Sequence, residues 1–394
     1  MKVKGFSAAA VQANIRYPDR LDLGLIFSQV PAVTAGVFTT NQIKAAPVLL
    51  DMERLLQGRA QAVLVNSGNA NACTGKAGME VALTTTKVAA RALAIDEQLV
   101  QVASTGVIGE PLDPAPFEAA IPGLVQKLAP DGFDDLARSI MTTDTVPKIA
   151  SASITIGDRE VRMVGVAKGS GMIMPDMATM LCFVVSDAQI VFPSLKHALT
   201  SGVDRSFNRI TVDGDTSTND MVLIMANGAA GNDWIDEDNP EGYEIFAEAL
   251  HGVLHDLAKM IVLDGEGATK LVNIRIIGAR TREGARAAAR TIANSALVKT
   301  AFFGEDANWG RIIAALGRSG CRIKPERIAI FFDQVCMVRD GVGLGRIAEE
   351  KATRVLKQRE FTVTVDLQDG MESAEMLTCD FSYDYVKINA DYRT

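Results

Sequence analysis

The chain has 394 residues, of which 48% are apolar and 22% are charged, and its 40 basic and 48 acidic side chains give a net charge of −8. These proportions are ordinary for a globular protein and exclude a disordered chain. Because the charges form no block of one sign, we expect no binding to nucleic acid or to an anionic membrane surface. Apolar runs such as Met180–Val185 are much shorter than the ~20 residues of a membrane-spanning helix.

The five cysteines lack the C-x-x-C spacing of zinc sites and redox motifs, and they are Cys73, Cys182, Cys321, Cys336 and Cys379. We therefore expect reduced thiols, and since the N-terminus has no apolar segment of signal-peptide length, we expect a cytoplasmic protein. Only three histidines occur, and His251 and His255 lie four residues apart without the glutamate of an H-E-x-x-H motif. The sequence therefore predicts no metal site.

Helix-like and strand-like segments alternate along the chain, which is typical of an α/β protein. In chain order we predict strand Ala62–Asn66, helix Glu80–Leu93, strand Leu99–Ala103, helices Phe117–Lys127 and Gly132–Ile140, and a hairpin of Ile149–Ile156 with Glu160–Val166. The later predicted elements are strand Met180–Val185, helix Pro240–Leu263, strand Leu271–Gly278, helix Glu283–Leu297, strand Arg327–Phe332, helix Arg346–Gln358, and strands Phe361–Leu367 and Ala374–Phe381. A loop follows the long helix, so we place the domain boundary between residues 270 and 271.

The segment Lys168–Leu181 is the most unusual part of the sequence. Its two glycines permit uncommon backbone angles, and Pro175 keeps Met174 out of the helical region. An irregular loop is therefore expected to end at a buried strand that begins with Thr179. Considered alone, Thr179 is an ordinary β-branched residue at the start of a strand. The loop is also no phosphate-binding P-loop, because a P-loop follows a strand and precedes a helix.

This segment resembles the self-cleaving motif of the ornithine acetyltransferase family, whose members are also called glutamate N-acetyltransferases. Further segments resemble signatures of the same family, and they occur in the expected order over essentially the whole chain. These segments are Asn66–Asn71, Ser104–Gly109, Met141–Thr145, Phe207–Asp220, Asp264–Lys270, Gly304–Arg311 and Asn389–Thr394.

The resemblance implies a layered mixed-sheet sandwich with outer helices, the fold of self-processing threonine aminopeptidases and acetyltransferases. A catalytic α/β domain would cover residues 1–270, and a smaller C-terminal α/β domain, residues 271–394, would complete the active site with its last residues. The implied activity is transfer of acetyl from N-acetyl-L-ornithine to L-glutamate in the cyclic route of arginine biosynthesis. The resemblance further implies self-cleavage between Ala178 and Thr179, which gives an alpha chain of residues 1–178 and a beta chain of residues 179–394.

The family motifs also imply roles for individual residues. Thr179 would be the nucleophile, and Thr105 and Gly106 would stabilise the oxyanion. The substrate-contacting positions are Thr142, Lys168, Thr179, Glu266, Asn389 and Thr394. From their charges we expect Lys168 to bind the substrate carboxylate and Glu266 the side-chain ammonium of ornithine. Thr143 and Thr145 compete with Thr142 for its role.

The resemblance implies no metal or other cofactor. Some members of the family also accept acetyl-CoA as a co-substrate, and no motif in this sequence separates them from the others. The alpha and beta chains are expected to pair and to form a heterotetramer.

Two alternatives stand beside this prediction. One is a self-processing N-terminal-threonine aminopeptidase or amidase, in which water replaces glutamate as the acceptor. The other is a binding protein that neither cleaves itself nor transfers acetyl. The intact pairs Ala178-Thr179 and Thr105-Gly106, together with Glu266, argue against the second alternative.

Overall fold

The fold is that of a computed structural model, and the structure describes residues 1–174 and 180–390. The strands of this part are β1 (Phe6–Val11), β2 (Leu23–Phe38), β3 (Arg59–Asn66), β4 (Val100–Ser104), β5 (Lys148–Ile156), β6 (Arg159–Lys168), β7 (Leu181–Ser186), β8 (Ile210–Thr211), β9 (Met221–Ala226), β10 (Leu271–Ala279), β11 (Ala329–Phe332), β12 (Val335–Arg339), β13 (Val342–Gly343), β14 (Glu360–Asp366) and β15 (Glu372–Cys379).

The helices of the same residues are α1 (Ala46–Arg54), α2 (Gly75–Leu93), α3 (Ala115–Gln126), α4 (Phe133–Ser139), α5 (Phe192–Arg205), α6 (Pro240–Leu263), α7 (Arg282–Ala293), α8 (Ala296–Phe303), α9 (Trp309–Gly317), α10 (Arg346–Leu356) and α11 (Tyr383–Ala390). Short 3-10 helices lie at Leu55–Gln57, Glu97–Leu99, Phe207–Arg209 and Pro325–Arg327. None of the described helices combines the length and the apolar character that crossing a bilayer requires.

The chain divides into two compact units. The first unit consists of Met1–Asn208 and Asp215–Ile261, and the second consists of Arg209–Gly214 and Val262–Thr394. The boundary between residues 270 and 271, which separates the proposed catalytic and C-terminal domains, stays a prediction.

The first unit contains a mixed sheet whose described strands run in the order β4-β3-β2-β9-β7-β6-β5, with β1 paired to β2. The pairs β3–β4 and β7–β9 are parallel and the other pairs are antiparallel. Strand β2 is long enough to pair with β1 along its first half and with β9 along its second half. This arrangement places β9 and β7 in the middle of the sheet.

The position of β7 and β9 explains why their sequences are continuously apolar. Every residue of both strands is buried. A strand covered on both faces reads as an unbroken apolar run, whereas a strand with one face in solvent alternates between apolar and polar residues. Edge strand β5 shows that alternation, since Ser151 and Ser153 face away from the buried side.

Helix α6 packs against the sheet at a glycine of β6. A Cβ on Gly165 would lie 2.9 Å from side-chain atoms of both Val253 and Leu257 of α6. Phe246, Leu250 and Leu254, on the same apolar face of α6, are fully buried. Because β6 ends only three residues after Gly165, this contact also fixes the strand that carries Lys168.

Strand β4 is the other edge of the sheet, and side chains of α1 satisfy its outer backbone groups. The Val102 N–H donates to Asp51 Oδ1 over 2.9 Å, and Arg54 Nη1 donates to the Val100 carbonyl oxygen over 2.5 Å. Unpaired groups on an edge strand otherwise invite pairing with another chain. Burial raises the pKa of the Asp51 carboxyl well above its ordinary value. The helix thus holds the strand that leads into Thr105.

The second unit contains a mixed sheet in the order β13-β12-β11-β14-β10-β15-β8. Strand β10 lies between β14, which is parallel to it, and β15, which is antiparallel. The apolar face of α7 covers this sheet, and its alanines Ala285, Ala288 and Ala289 are buried with Ile292. Small side chains allow the helix to approach the strands closely.

Most predicted elements are present with ends that differ by a few residues, and α6 has the predicted bounds. The single predicted helix over Glu283–Leu297 is wrong, because the structure has α7 and α8 separated at Asn294–Ser295. The backbone of Ser295 is extended, with φ −75° and ψ 111°, so the run of helical residues ends there and Ser295 caps the N-terminus of α8. The mixed α/β fold class, with two mixed sheets and helices, is confirmed.

Candidate active site

Three of the predicted site residues meet in the first unit. Lys168, the last residue of β6, donates from Nζ to Thr105 Oγ1 over 3.0 Å and to Thr142 Oγ1 over 3.2 Å. Lys168 is only 9% exposed. A lysine ammonium donates hydrogen bonds and accepts none, so both threonine oxygens act as acceptors toward it. The hydroxyl hydrogens of both threonines then remain available to a negatively charged group, such as an oxyanion or a carboxylate.

The loop that carries Thr105 depends on Gly106. This glycine has a φ of +133°, and a Cβ on it would lie 2.3 Å from the backbone carbon of Gly68. A side chain is therefore excluded at position 106. Thr105 itself is held by its N–H, which donates to the Asn66 carbonyl oxygen over 3.0 Å. The two loops that resemble family signatures thus pack backbone against backbone.

A third signature segment ties these two loops together. Asn219 donates from Nδ2 to the carbonyl oxygens of Ala70, over 2.6 Å, and Ser104, over 2.8 Å. The Ser104 hydroxyl in turn donates to Asn66 Oδ1 over 2.7 Å. These polar groups are buried, and each buried donor and acceptor needs a partner. Segments that are far apart in sequence therefore fix the position of Thr105 jointly.

The same cluster is supported by a buried carboxylate, that of Asp144, for which the sequence predicted no role. Asp144 Oδ1 accepts from Lys148 Nζ over 2.7 Å and from the Gly169 N–H over 2.6 Å. Its Oδ2 accepts from the Thr142 N–H over 3.1 Å. Asp144 therefore connects the backbone of the Thr142 segment to the residue that follows Lys168. The T-T-D-T motif at residues 142–145 was the available signal for this role.

The electrostatics of Asp144 follow from its two lysine neighbours. Burial raises the pKa of the Asp144 carboxyl, but the charges of Lys168 and Lys148 and the hydrogen bonds from Lys148 and Gly169 outweigh burial. The pKa of Asp144 consequently lies below its ordinary value. Asp144 is thus an anion at neutral pH, held between two cations. Of the neighbouring threonines, Thr142 contacts Lys168 through its hydroxyl, and the assignment of Thr142 to substrate binding stays a prediction.

Two other predicted site residues meet in the second unit. Asn389 of α11 donates from Nδ2 to Glu266 Oε2 over 2.8 Å, and Glu266 is only 6% exposed. The neighbouring Gly267 has a φ of +66°, and its carbonyl oxygen accepts from the Ser382 hydroxyl over 2.6 Å. Asp380 accepts hydrogen bonds from the N–H groups of Thr269 and Lys270, 2.8 Å each. The loop that carries Glu266 is therefore held at several points.

The remaining predicted site residues lie outside the described part of the chain. These residues are Ala178, Thr179 and Thr394. The described residues contain no group of three or more His, Cys, Asp or Glu side chains that could hold a metal ion. His251 and His255 are neighbours on α6, with ring centroids 6.0 Å apart, and His251 contacts Glu248 of the same helix.

Comparison with known proteins decides the family. The family model described as the ArgJ family matches residues 7–394. The arginine biosynthesis bifunctional protein ArgJ of Desulfotalea psychrophila is 58% identical over 394 residues, which is 100% of both chains. The protein of the same name from Syntrophotalea carbinolica is 57% identical over 395 residues with the same coverage. The chain belongs to the ArgJ family.

A solved structure supports this assignment. The crystal structure of arginine biosynthesis bifunctional protein ArgJ from Bacillus halodurans is 44% identical and has a TM-score of 0.51. The match covers 53% of this chain and 97% of the solved chain. The resemblance to the ornithine acetyltransferase family that the motifs indicated is confirmed as ArgJ membership.

The buried ion pair beneath the site gives a first prediction. The substitution Lys148→Met leaves the Asp144 carboxylate buried without one of its two lysine neighbours, which should lower the free energy of unfolding by about 3–5 kcal/mol. The matched control is Arg159→Met, because Arg159 pairs with Asp158 at the surface over 3.3 Å. This control should change the free energy of unfolding by less than about 1 kcal/mol. Urea unfolding at pH 7 measures both changes, and equally small changes would contradict the argument.

Proposed function

We propose that this ArgJ family enzyme transfers the acetyl group of N-acetyl-L-ornithine to L-glutamate through an acetyl ester on Thr179. The proposal is carried by the family match over residues 7–394 together with the Lys168 cluster, by which we mean Lys168 and the threonines that it contacts, Thr105 and Thr142. N-acetyl-L-ornithine acetylates the Thr179 hydroxyl and leaves as ornithine. L-glutamate then attacks the ester and leaves as N-acetyl-L-glutamate. The reaction belongs to the cyclic route of arginine biosynthesis.

The nucleophile is generated by cleavage of the chain. The Thr179 hydroxyl attacks the Ala178 carbonyl carbon, the C–N bond breaks as the Thr179 nitrogen takes a proton, and an ester forms. Water hydrolyses this ester, which leaves the carboxylate of Ala178 and the free amine of Thr179. The beta chain would then hold 216 of 394 residues, or residues 179–394. The Bacillus halodurans chain, which matches 53% of this chain over 97% of its own length, supports a fragment of about that size.

The new α-amine also supplies the base. An α-amino group has a reference pKa of about 7.7–8.0, so a substantial fraction is neutral near physiological pH. A neutral amine can take the proton of its own residue's hydroxyl. The enzyme therefore needs no histidine near the nucleophile.

The Lys168 cluster supplies stabilisation of negative charge. Thr105, through its hydroxyl hydrogen, and Gly106, through its N–H, are the donors to the tetrahedral oxyanion. Preorganised donors of this kind commonly contribute about 3 kcal/mol each to the rate. Thr142 and Lys168 are placed to bind the substrate carboxylate, since an ammonium and a hydroxyl are suitable partners for it.

The Glu266–Asn389 pair is assigned to the amine end of the substrate. Because Asn389 occupies Glu266 Oε2, the other carboxylate oxygen, Oε1, is the one assigned to the ornithine ammonium. Thr179 and Thr394 complete the proposed substrate contacts.

We also propose acetyl-CoA as a second acetyl donor, which would add N-acetylglutamate synthase activity. The word bifunctional in the names of the relatives supports this proposal. No metal or prosthetic group takes part in either proposed reaction.

The alpha and beta chains are proposed to remain associated as a heterotetramer of two alpha and two beta chains. We propose that this assembly is cytoplasmic. In each pair of chains, residues 1–270 would form the catalytic domain and residues 271–394 would complete the site.

Processing gives the second prediction. Purified wild-type protein should give two masses under denaturing conditions, for residues 1–178 and 179–394. Thr179→Ala should remain a single chain without transferase activity, because it lacks the attacking hydroxyl. Thr179→Ser should still cleave, since it keeps a hydroxyl. Cleavage of the Thr179→Ala variant at the same bond would show that the nucleophile is assigned wrongly.

The kinetic pattern gives the third prediction. A covalent relay gives ping-pong kinetics, so initial-rate plots with both substrates varied should show parallel lines. Intersecting lines would count against the acetyl-enzyme. Release of acetate at the same rate without glutamate would instead indicate an amidase. Acetyl-CoA in place of N-acetyl-L-ornithine tests the second donor in the same assay.

Substrate recognition gives the fourth prediction. Glu266→Gln keeps an oxygen for Asn389 but removes the charge that would bind the ornithine ammonium. An unpaired buried charge costs about 2 kcal/mol or more, so acetylation of Thr179 by N-acetyl-L-ornithine should slow by roughly 30-fold. Attack of glutamate on preformed acetyl-enzyme should change much less, because glutamate has no side-chain ammonium. Single-turnover assays on fully cleaved protein separate the two steps.

Two further variants control this experiment. Glu375→Gln removes a half-exposed charge that pairs with Arg275 over 3.2 Å, and it should leave both steps unchanged. Lys168→Met should slow both steps, because both amino acids carry an α-carboxylate. Equal losses in both steps for Glu266→Gln would remove its assigned role in amine recognition.

A further inference from the structure

A second buried carboxyl, that of Asp220, lies at the end of the central strands of the sheet, where β7 and β9 begin. Across the sheet, Phe38 pairs with Met221, Met221 with Leu181, and Leu181 with Lys168. One residue beyond this row, Asp220 precedes β9 as Met180 precedes β7. The Met221 N–H donates to the Met180 carbonyl oxygen over 3.1 Å. The register therefore places Asp220 beside Met180.

Asp220 holds the backbone of Met180 from this position. Its carboxyl accepts a hydrogen bond from the Met180 N–H, and its residue is 2% exposed. The Met180 nitrogen is bonded directly to the carbonyl carbon of Thr179. After cleavage, that peptide bond is the one covalent link of Thr179 to the rest of the protein. Whatever holds Met180 therefore limits where the amine and the hydroxyl of Thr179 can go.

The surroundings of Asp220 favour its neutral form. Its Oδ2 is buried and has no hydrogen-bond partner among the described residues. Burial raises the pKa of Asp220 well above its ordinary value, against the opposing effects of the Met180 N–H, the Lys168 charge on β6, and the hydroxyls of Ser217 and Thr39. Burying a carboxylate oxygen that has no hydrogen-bond donor costs far more free energy than burying the neutral carboxylic acid.

The charge state of Asp220 has a consequence for the base proposed above. An anion near an α-amine stabilises its ammonium form and raises its pKa. An ammonium cannot accept the proton of the threonine hydroxyl. A neutral acid can hold the neighbouring backbone without this effect, whereas a carboxylate cannot.

We propose that Asp220 is a positioning residue for the N-terminal threonine. As a neutral carboxylic acid it fixes the backbone of Met180, and it adds no negative charge next to the peptide bond that joins Met180 to Thr179. The inference rests on the proposed function, in which Thr179 is both nucleophile and base. Asp220 acts through Met180 and is assigned no contact with substrate.

The test compares two substitutions of this residue. Asp220→Asn keeps an oxygen for the Met180 N–H and cannot ionise. It should cleave itself and show a kcat within about threefold of wild type, whereas Asp220→Val, which loses the hydrogen bond, should lower kcat by about tenfold or more by misplacing the nucleophile. KM for N-acetyl-L-ornithine should stay within about twofold in both, because binding groups are untouched.

The pH profile of kcat gives a readout that a purely structural role would not move. The acid limb of kcat, which reports deprotonation of the Thr179 amine, should coincide in wild type and Asp220→Asn. A shift of this limb to lower pH by about half a unit or more in the Asn variant would overturn the proposal, because it would show that Asp220 is an anion in the wild type. A wild-type kcat in the Val variant would overturn it too. If the Val variant does not fold, the Asn profile decides alone.

Asp187→Asn is the matched control. Asp187 is a fully buried aspartate that follows the other end of β7, where it accepts from the Arg162 N–H over 2.7 Å. This variant should leave kcat and its acid limb unchanged whatever it does to stability. Wild-type protein that neither cleaves nor transfers acetyl would defeat the proposed function itself. Active wild-type protein with a shifted Asn profile defeats only the role of Asp220.

Discussion

A lysine ammonium donates hydrogen bonds in three directions and accepts none, and this asymmetry sets the arrangement around Lys168. Its hydrogen bonds to the hydroxyl oxygens of Thr105 and Thr142 turn two neutral side chains into donors toward whatever lies beyond them. A threonine hydroxyl free in solution has no preferred direction. Here the ammonium occupies one acceptor position on each oxygen before any substrate binds, so each hydroxyl hydrogen must point away from it.

The position of that ammonium is in turn the product of packing remote from it. Because Gly165 has no side chain, α6 packs directly on β6, and this contact fixes the position of the strand that ends at Lys168. At its end, Asp144 binds the N–H of Gly169 and pairs with Lys148, and both side chains of that pair are fully buried. A buried ion pair is a weak source of net stability, since desolvation offsets most of the attraction. The pair instead fixes the position of the end of β6, because any arrangement that separates Asp144 from Lys148 leaves a buried charge without a partner and is higher in free energy.

The sequence predicted much of this, for reasons that the structure makes clear. Helix α6 has apolar residues at helical spacing along its whole length. The hairpin of β5 and β6 has a glycine turn and alternating apolar and polar residues. Local sequence patterns were therefore sufficient to predict these elements. Lys168, Thr105 and Thr142 followed from motif resemblance. Asp144 and Asp220 did not, because their roles depend on burial and on contacts that only the folded chain makes, such as that of Asp144 with the Gly169 N–H. The sequence pattern also did not show the break between α7 and α8, where the backbone of Ser295 is extended.

Asp144 and Asp220 are two buried acids near the same cation, Lys168, in different surroundings. Lys168 acts on both, yet the pKa of Asp144 lies below its ordinary value and that of Asp220 well above it. The difference is that Asp144 has Lys148 as a second cation and backbone donors on both oxygens, whereas Asp220 Oδ2 has no partner among the described residues. Two lysines and one carboxylate leave one unit of positive charge in this cluster. An ionised Asp220 would cancel that charge, so keeping this acid neutral preserves the cluster's capacity to bind a carboxylate or an oxyanion.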